Sequence, residues 1–132
     1  MELQSFLAPF LTRPLNVFHL QDSCGSGRVC RVAGVFFEDA LPELLSVASV
    51  AIIHPDDAFD RAAPPPSLIP RVEISKDILR ANGLLDDEGY VRRQTLIIDD
   101  RGEILATLPV ADSADLPVHL SHAVLPALEG LI

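Results

Sequence analysis

The sequence predicts an α/β domain with a central mixed sheet flanked by helices. Three observations carry that expectation. Two apolar runs, Leu15-Asn16-Val17-Phe18-His19-Leu20 and Ser49-Val50-Ala51-Ile52-Ile53, read as strands, and helical spacing fills the stretch between them from Cys30 to Leu45. Strand, helix, strand is the pattern of a βαβ unit, because parallel neighbours need a long crossover. Further on, two strand-like runs flank the turn Asp99-Asp100-Arg101-Gly102, which predicts an antiparallel hairpin. The 132 residues suit one domain over 1–132 with a single buried core.

The elements follow in order. Residues 2–12 read as a short amphipathic turn or helix carrying Phe6, Leu7, Phe10 and Leu11, with Pro9 limiting its regularity. The first strand is Leu15 to Leu20. Asp22, Ser23, Gly25 and Gly27 then make a loop. From Cys30, the side chains of Val32, Val35, Phe36, Leu41, Leu44 and Leu45 fall near a 3.6-residue period, and Pro42 kinks or restarts the helix. The second strand, Ser49 to Ile53, has the near-continuous apolar character of a strand buried on both faces, and His54-Pro55-Asp56-Asp57 ends it.

Pro64-Pro65-Pro66 excludes helix and central strand, so residues 62–70 are expected to form an extended surface loop. Val72-Glu73-Ile74 is a short strand. Ser75 caps a helix from Lys76 to Asn82 that Gly83 ends. Asp86-Asp87-Glu88-Gly89 is a turn. Thr95 to Asp99 and Glu103 to Leu108 form the hairpin. The last helix is expected to start near Asp115, with Pro117 in its first turn and Leu120, Val124, Leu128 and Leu131 as its apolar stripe. A parallel βαβ unit followed by an antiparallel hairpin and a covering helix is the thioredoxin-like arrangement.

Composition narrows the function classes. Ten Lys and Arg against 19 Asp and Glu give a formal charge of −9, which repels phosphate and argues against nucleic-acid and anionic-membrane partners. Only Lys76 is a lysine, so no polybasic run exists. The apolar runs of four to five residues fall far short of the roughly 20 needed to span a bilayer. The start, Met1-Glu2-Leu3-Gln4, lacks the basic n-region of a secretory signal, so a cytoplasmic location is the expectation. Two cysteines are too few for a disulfide scaffold or a four-thiolate metal site. His119 and His122 have a chelating spacing but no neighbouring ligand to complete a set, so no metal or other cofactor is expected.

Two stretches resemble the peroxiredoxin branch of the thioredoxin-like superfamily. Cys30 to Leu44, ending Phe37-Glu38-Asp39-Ala40-Leu41-Pro42-Glu43-Leu44, is similar to the helix after the peroxidatic cysteine in peroxiredoxins of the bacterioferritin-comigratory type. Val91-Arg92-Arg93-Gln94-Thr95-Leu96-Ile97-Ile98-Asp99-Asp100-Arg101-Gly102-Glu103-Ile104 is similar to the strand whose leading arginine sits over the active site, followed by the acidic-Gly hairpin. Asp77 to Leu84 resembles the short helix before it. The resemblance implies that Cys30 is the nucleophile and Arg93 its electrostatic support.

The motif is degenerate. Gly27 stands three positions before Cys30, where the family has threonine or serine, and no proline lies between Pro14 and Pro42. Counted from Cys24 instead, Gln21 takes the hydroxyl position and Val17 the proline position. There is no CxxC, and no proline precedes the Thr95 strand as it does in thioredoxin.

The residues themselves support thiol chemistry. A thiol in the first turn of a helix faces unpaired amide N–H groups, and Arg28, Arg31 and Arg93 add positive charge, which lowers a thiol pKa from about 8.5. The thiolate attacks a peroxide oxygen and becomes a sulfenic acid. The alternative reading of Cys30 is a small apolar side chain buried where helix meets sheet. Cys24 is the candidate resolving thiol, and its pairing with Cys30 requires residues 24–29 to be a loop; the alternative is an incidental loop cysteine. Two functions follow. One is a peroxiredoxin-like thiol peroxidase using a peroxide or disulfide substrate and a dithiol reductant. The other is a catalytically silent thioredoxin-fold module that binds another protein. A homodimer through a sheet edge or the proline loop is compatible with either.

Overall fold

The computed structural model describes residues 3–20, 42–55, 69–110 and 119–131. The chain opens with a short helix α1 (Leu3–Leu7) and a 3₁₀ turn (Ala8–Phe10), the second carrying Pro9 where its missing N–H costs nothing. Strand β1 (Leu15–Leu20) follows, and residues 42–45 are helical, α2, ahead of β2 (Ser49–Pro55). Then come β3 (Arg71–Ile74), helix α3 (Lys76–Ala81), and the strands β4 (Gln94–Asp99) and β5 (Ile104–Pro109). A π-helical turn (Leu120–Val124) leads into the terminal helix α4 (Leu125–Leu131).

The described strands form one five-stranded sheet in the order β3-β2-β1-β4-β5. β1, β2 and β3 run parallel, and β4 and β5 are antiparallel, which makes the expected mixed sheet. The buried runs take the centre: all six residues of β1 are buried, and β5 at the edge is mostly exposed. Hydrophobic residues cover both faces. Leu15, Val17, Val50, Ile52 and Ile97 pack with Leu44, Val124 and Leu128 on one side. Phe18, Leu20, Ile53, Val72 and Leu96 pack with Leu3, Leu7 and Leu79 on the other. The fold is thus helices on both faces of a sheet, the thioredoxin-like arrangement.

Polar ties fix the register. Asn16 is fully buried and all its hydrogen-bonding positions are used: its amide nitrogen donates to the carbonyls of Arg13 (2.7 Å) and Ile98 (3.1 Å), and its Oδ1 accepts from Arg13 N (3.2 Å) and Ser49 Oγ (2.6 Å). It therefore ties β1 to both its neighbours, where an unsatisfied amide would cost 1–3 kcal/mol. The guanidinium of Arg13 donates to the carbonyls of Leu45, Ser46 and Ala48, closing the end of α2 at the start of β1. So the chain leaves β1 at one end of the sheet, at Leu20, and returns through α2 to the other end, where Ser49 pairs with Asn16.

Local chemistry matches the sequence at several points. The Ser75 hydroxyl accepts from Ile78 N, and Gly83 ends α3 with φ 71°. Asp86 Oδ1 accepts from Glu88 N and Tyr90 N, so this turn brings Leu85 opposite Val91. Asp99 Oδ1 does the same for Arg101 N and Glu103 N, with Gly102 at φ 88°. Three details differ. β2 runs on through His54 and Pro55, because β3 lies beside it in register and Pro55 sits at the strand's last position. Ile69, expected on a surface loop, is 2% exposed and belongs to the core. Leu131 lies past the apolar cluster of the terminal helix and is exposed, whereas Val124 and Leu128 are fully buried.

Candidate functional site

The carboxyl ends of parallel strands are where open α/β sheets hold ligands, since the crossovers diverge there. In this protein the carboxyl ends of β1 and β2 carry His19 and His54, both buried. Strand alternation puts them on the face that also holds Val17, Val50 and Ile52. β4 begins beside the same end: Gln94 pairs with Leu20 and Thr95 with His19. His119, at the head of the terminal helical segment, closes the group and is also buried.

Hydrogen bonds join three of these residues. His19 Nδ1 lies 3.1 Å from Thr95 Oγ1, and His119 Nε2 lies 2.8 Å from the same hydroxyl. Burial pushes the His19 pKa down to about 3, and the neighbouring His119 and Arg93 push in the same direction. Burial also lowers His119. Both rings are therefore neutral near pH 7. His54 is separate from this group, with Nδ1 3.2 Å from the Pro55 carbonyl oxygen.

Arg93 stands at the entrance to β4, half-buried, and its carbonyl accepts from Val110 N at 3.0 Å. Among the described residues no carboxylate pairs with its guanidinium. Its neighbour Gln94 pairs with Leu20, which locates it at the carboxyl end of β1. Arg92, next to it, is exposed and its Nε donates to the Leu85 carbonyl (3.2 Å). Of the two arginines, Arg93 is thus the one at the candidate site.

Cys30 and Cys24, the sequence-predicted nucleophile and partner, lie outside the described residues, as do Arg28 and Arg31. What the structure gives is the end of β1 from which their segment departs. Of the two histidines with chelating spacing, His119 turns its Nε2 to Thr95, and His122 is exposed. Among the described residues no group of three His, Cys, Asp or Glu side chains is placed to hold a metal ion. No described helix is long and apolar enough to cross a membrane.

Sequence reasoning placed His19 in the first strand, and the structure shows it packed and hydrogen-bonded there. It missed Thr95 and His119 as its partners. The pairing of residues 19, 95 and 119 joins two strands and a helix, and no local spacing encodes it. The one available signal was chemical: a threonine and a histidine on adjacent central strands need partners when buried.

No protein-family profile matches the sequence, and no curated protein matches it. Solved structures do. Peroxidoxin BcpB from Mycobacterium tuberculosis superposes with a TM-score of 0.72 at 19% identity, over 96% of this chain and 85% of that one. The bacterioferritin comigratory protein of Xanthomonas campestris gives 0.71 at 19% identity, over 94% and 82%. A cysteine-to-serine variant of PrxQ from Xylella fastidiosa gives 0.72 at 18% identity, over 93% and 80%. The chain therefore has the thioredoxin-like fold of peroxiredoxins and resembles those of the bacterioferritin-comigratory type.

Proposed function

We propose that the protein is a thiol-based redox protein, a peroxiredoxin-like thiol peroxidase with Cys30 as nucleophile. The observation that carries the reading is Arg93. It stands without a carboxylate partner among the described residues, at the end of the sheet from which the cysteine-bearing segment leaves. A guanidinium near a thiol stabilises the thiolate and the charge that develops on a peroxide oxygen.

The Cys30 thiolate attacks the terminal oxygen of a peroxide. The O–O bond breaks, the sulfur becomes a sulfenic acid, and the leaving oxygen takes a proton to give an alcohol or water. Cys24 then condenses with the sulfenic acid, releasing water and forming a disulfide. A dithiol reductant returns both thiols. No metal or nucleotide enters the cycle. A reducing, cytoplasmic compartment supplies such a reductant. The mostly exposed β5 edge is the surface on which a homodimer is to be sought.

The test is peroxide consumption by the full chain with a small dithiol. The reading expects turnover in the wild type and none in Cys30→Ser. Cys24→Ser keeps the first oxidation but forms no intramolecular disulfide. A wild-type chain that consumes no peroxide refutes the reading.

A further inference from the structure

The Thr95 hydroxyl lies between two imidazoles, 3.1 Å from His19 Nδ1 and 2.8 Å from His119 Nε2. All three side chains are buried, Thr95 and His19 completely. A hydroxyl has one proton to donate, and each neutral imidazole has one donor and one acceptor nitrogen. If Thr95 donates to one ring and accepts from the other, the two tautomers are no longer independent. When His119 donates from Nε2, Thr95 donates to His19 Nδ1, and both rings carry their proton on Nε2. When His19 donates from Nδ1, Thr95 donates to His119 Nε2, and both rings carry it on Nδ1. The rings must match.

We propose that His119, Thr95 and His19 form one coupled tautomeric unit that moves a proton between the terminal helical segment and the end of β1 where the cysteine-bearing segment begins. Passing from the first pattern to the second takes up one proton at His119 Nδ1, shifts one from His119 Nε2 to Thr95 and one from Thr95 to His19 Nδ1, and releases one at His19 Nε2. The charge of the unit is unchanged. No imidazolium need persist in the core, which agrees with the lowered basicity of both rings. Among the described residues, the titratable or charged groups that act on His19 are His119 and Arg93, and both disfavour a charge on it.

The proposal rests, for its purpose, on the thiol peroxidase reading. Cleavage of the O–O bond leaves an alkoxide or hydroxide that takes one proton. The unit supplies that proton at the His19 end and recovers it from water at the His119 end. His19 is then the proton donor, Thr95 and His119 relay the proton to it, and the cysteine remains the nucleophile.

The experiment is ¹⁵N long-range NMR of the imidazoles in the full-length protein near pH 7, followed by the rate of Cys30 oxidation by hydrogen peroxide. Matched tautomers in the wild type are expected. Thr95→Val should uncouple them and slow Cys30 oxidation about tenfold or more, and Thr95→Ser should restore both. The wild-type spectrum is decisive even if Thr95→Val fails to fold. Opposite tautomers, with both rings donating to Thr95, overturn the proposal, and so does a stable imidazolium. Matched tautomers with unslowed oxidation in folded Thr95→Val overturn the proton delivery. Matched tautomers in a wild-type chain that does not react with peroxide refute the peroxidase reading, and delivery with it, but leave the coupled unit standing.

Discussion

Acid should weaken this protein well before ordinary carboxylates titrate, and His19 is the reason. Its pKa is pushed down to about 3 in the folded chain, against 6.5 when exposed. The unfolded state therefore binds the proton more readily. The stability that the neutral ring contributes is fully present above pH 6.5 and is lost as pH falls from 6.5 toward 3. Each unit of pH in that window removes about 1.4 kcal/mol, so lowering the pH from 7 to 5 costs about 2 kcal/mol from this residue alone. His119 is shifted in the same direction and adds to the loss. For a domain stable by 5–15 kcal/mol, that is a large fraction. The substitution that isolates the effect is His19→Asn, whose side-chain amide still reaches Thr95 and does not titrate. Urea unfolding followed by far-ultraviolet circular dichroism at pH 7 and pH 5 measures both proteins. His19→Asn is expected to be less stable at pH 7 and to lose about 2 kcal/mol less than the wild type on acidification. If the two lose equal stability between pH 7 and pH 5, the neutral buried ring is not the acid-sensitive element.

Other substitutions test the frame around the site. Arg93→Met should raise the Cys30 thiol pKa by about one unit, read from the pH dependence of alkylation, while circular dichroism at pH 7 stays unchanged. Leu128→Ala removes a fully buried side chain that holds the terminal helix to the sheet, and should cost about 2–5 kcal/mol in urea unfolding. Gly102→Ala places a side chain at φ 88°, with the new Cβ 3.0 Å from Gln4 Cγ, and should cost about 1–3 kcal/mol by the same assay.

The central strands were legible because burial writes itself into composition. Leu15 to Leu20 and Ser49 to Ile53 are nearly continuous apolar runs, and both fall at the middle of the sheet. The turns were legible for a different reason. Gly83, Gly89 and Gly102 all take positive φ, and Asp86 and Asp99 bond back to the amides that follow them, so local chemistry alone marks those positions. The extension of β2 through Pro55 was not legible, because it depends on β3 lying alongside. Nor was the burial of Ile69, which follows a proline tract yet reaches the core. The terminal helix was legible as an apolar stripe, and the π turn at Leu120–Val124 leaves no mark in that spacing.

For the site, the sequence pointed to Arg93, which stands at the entrance to β4, and to Cys30 and Cys24, which lie outside the described residues. The His19–Thr95–His119 contact was not foreseeable from one sequence. Its members are 76 and 24 positions apart along the chain, and only the sheet register and the docking of the terminal segment bring them together.

The most direct test of the account is the ionisation of the Cys30 sulfur. Alkylation of a Cys24→Ser chain, followed across pH, reports it without interference from the second thiol. The account predicts a pKa well below the ordinary value of about 8.5, and a single added oxygen at Cys30 after brief exposure to peroxide. A thiol that ionises at the ordinary value, or that peroxide leaves unchanged, contradicts it.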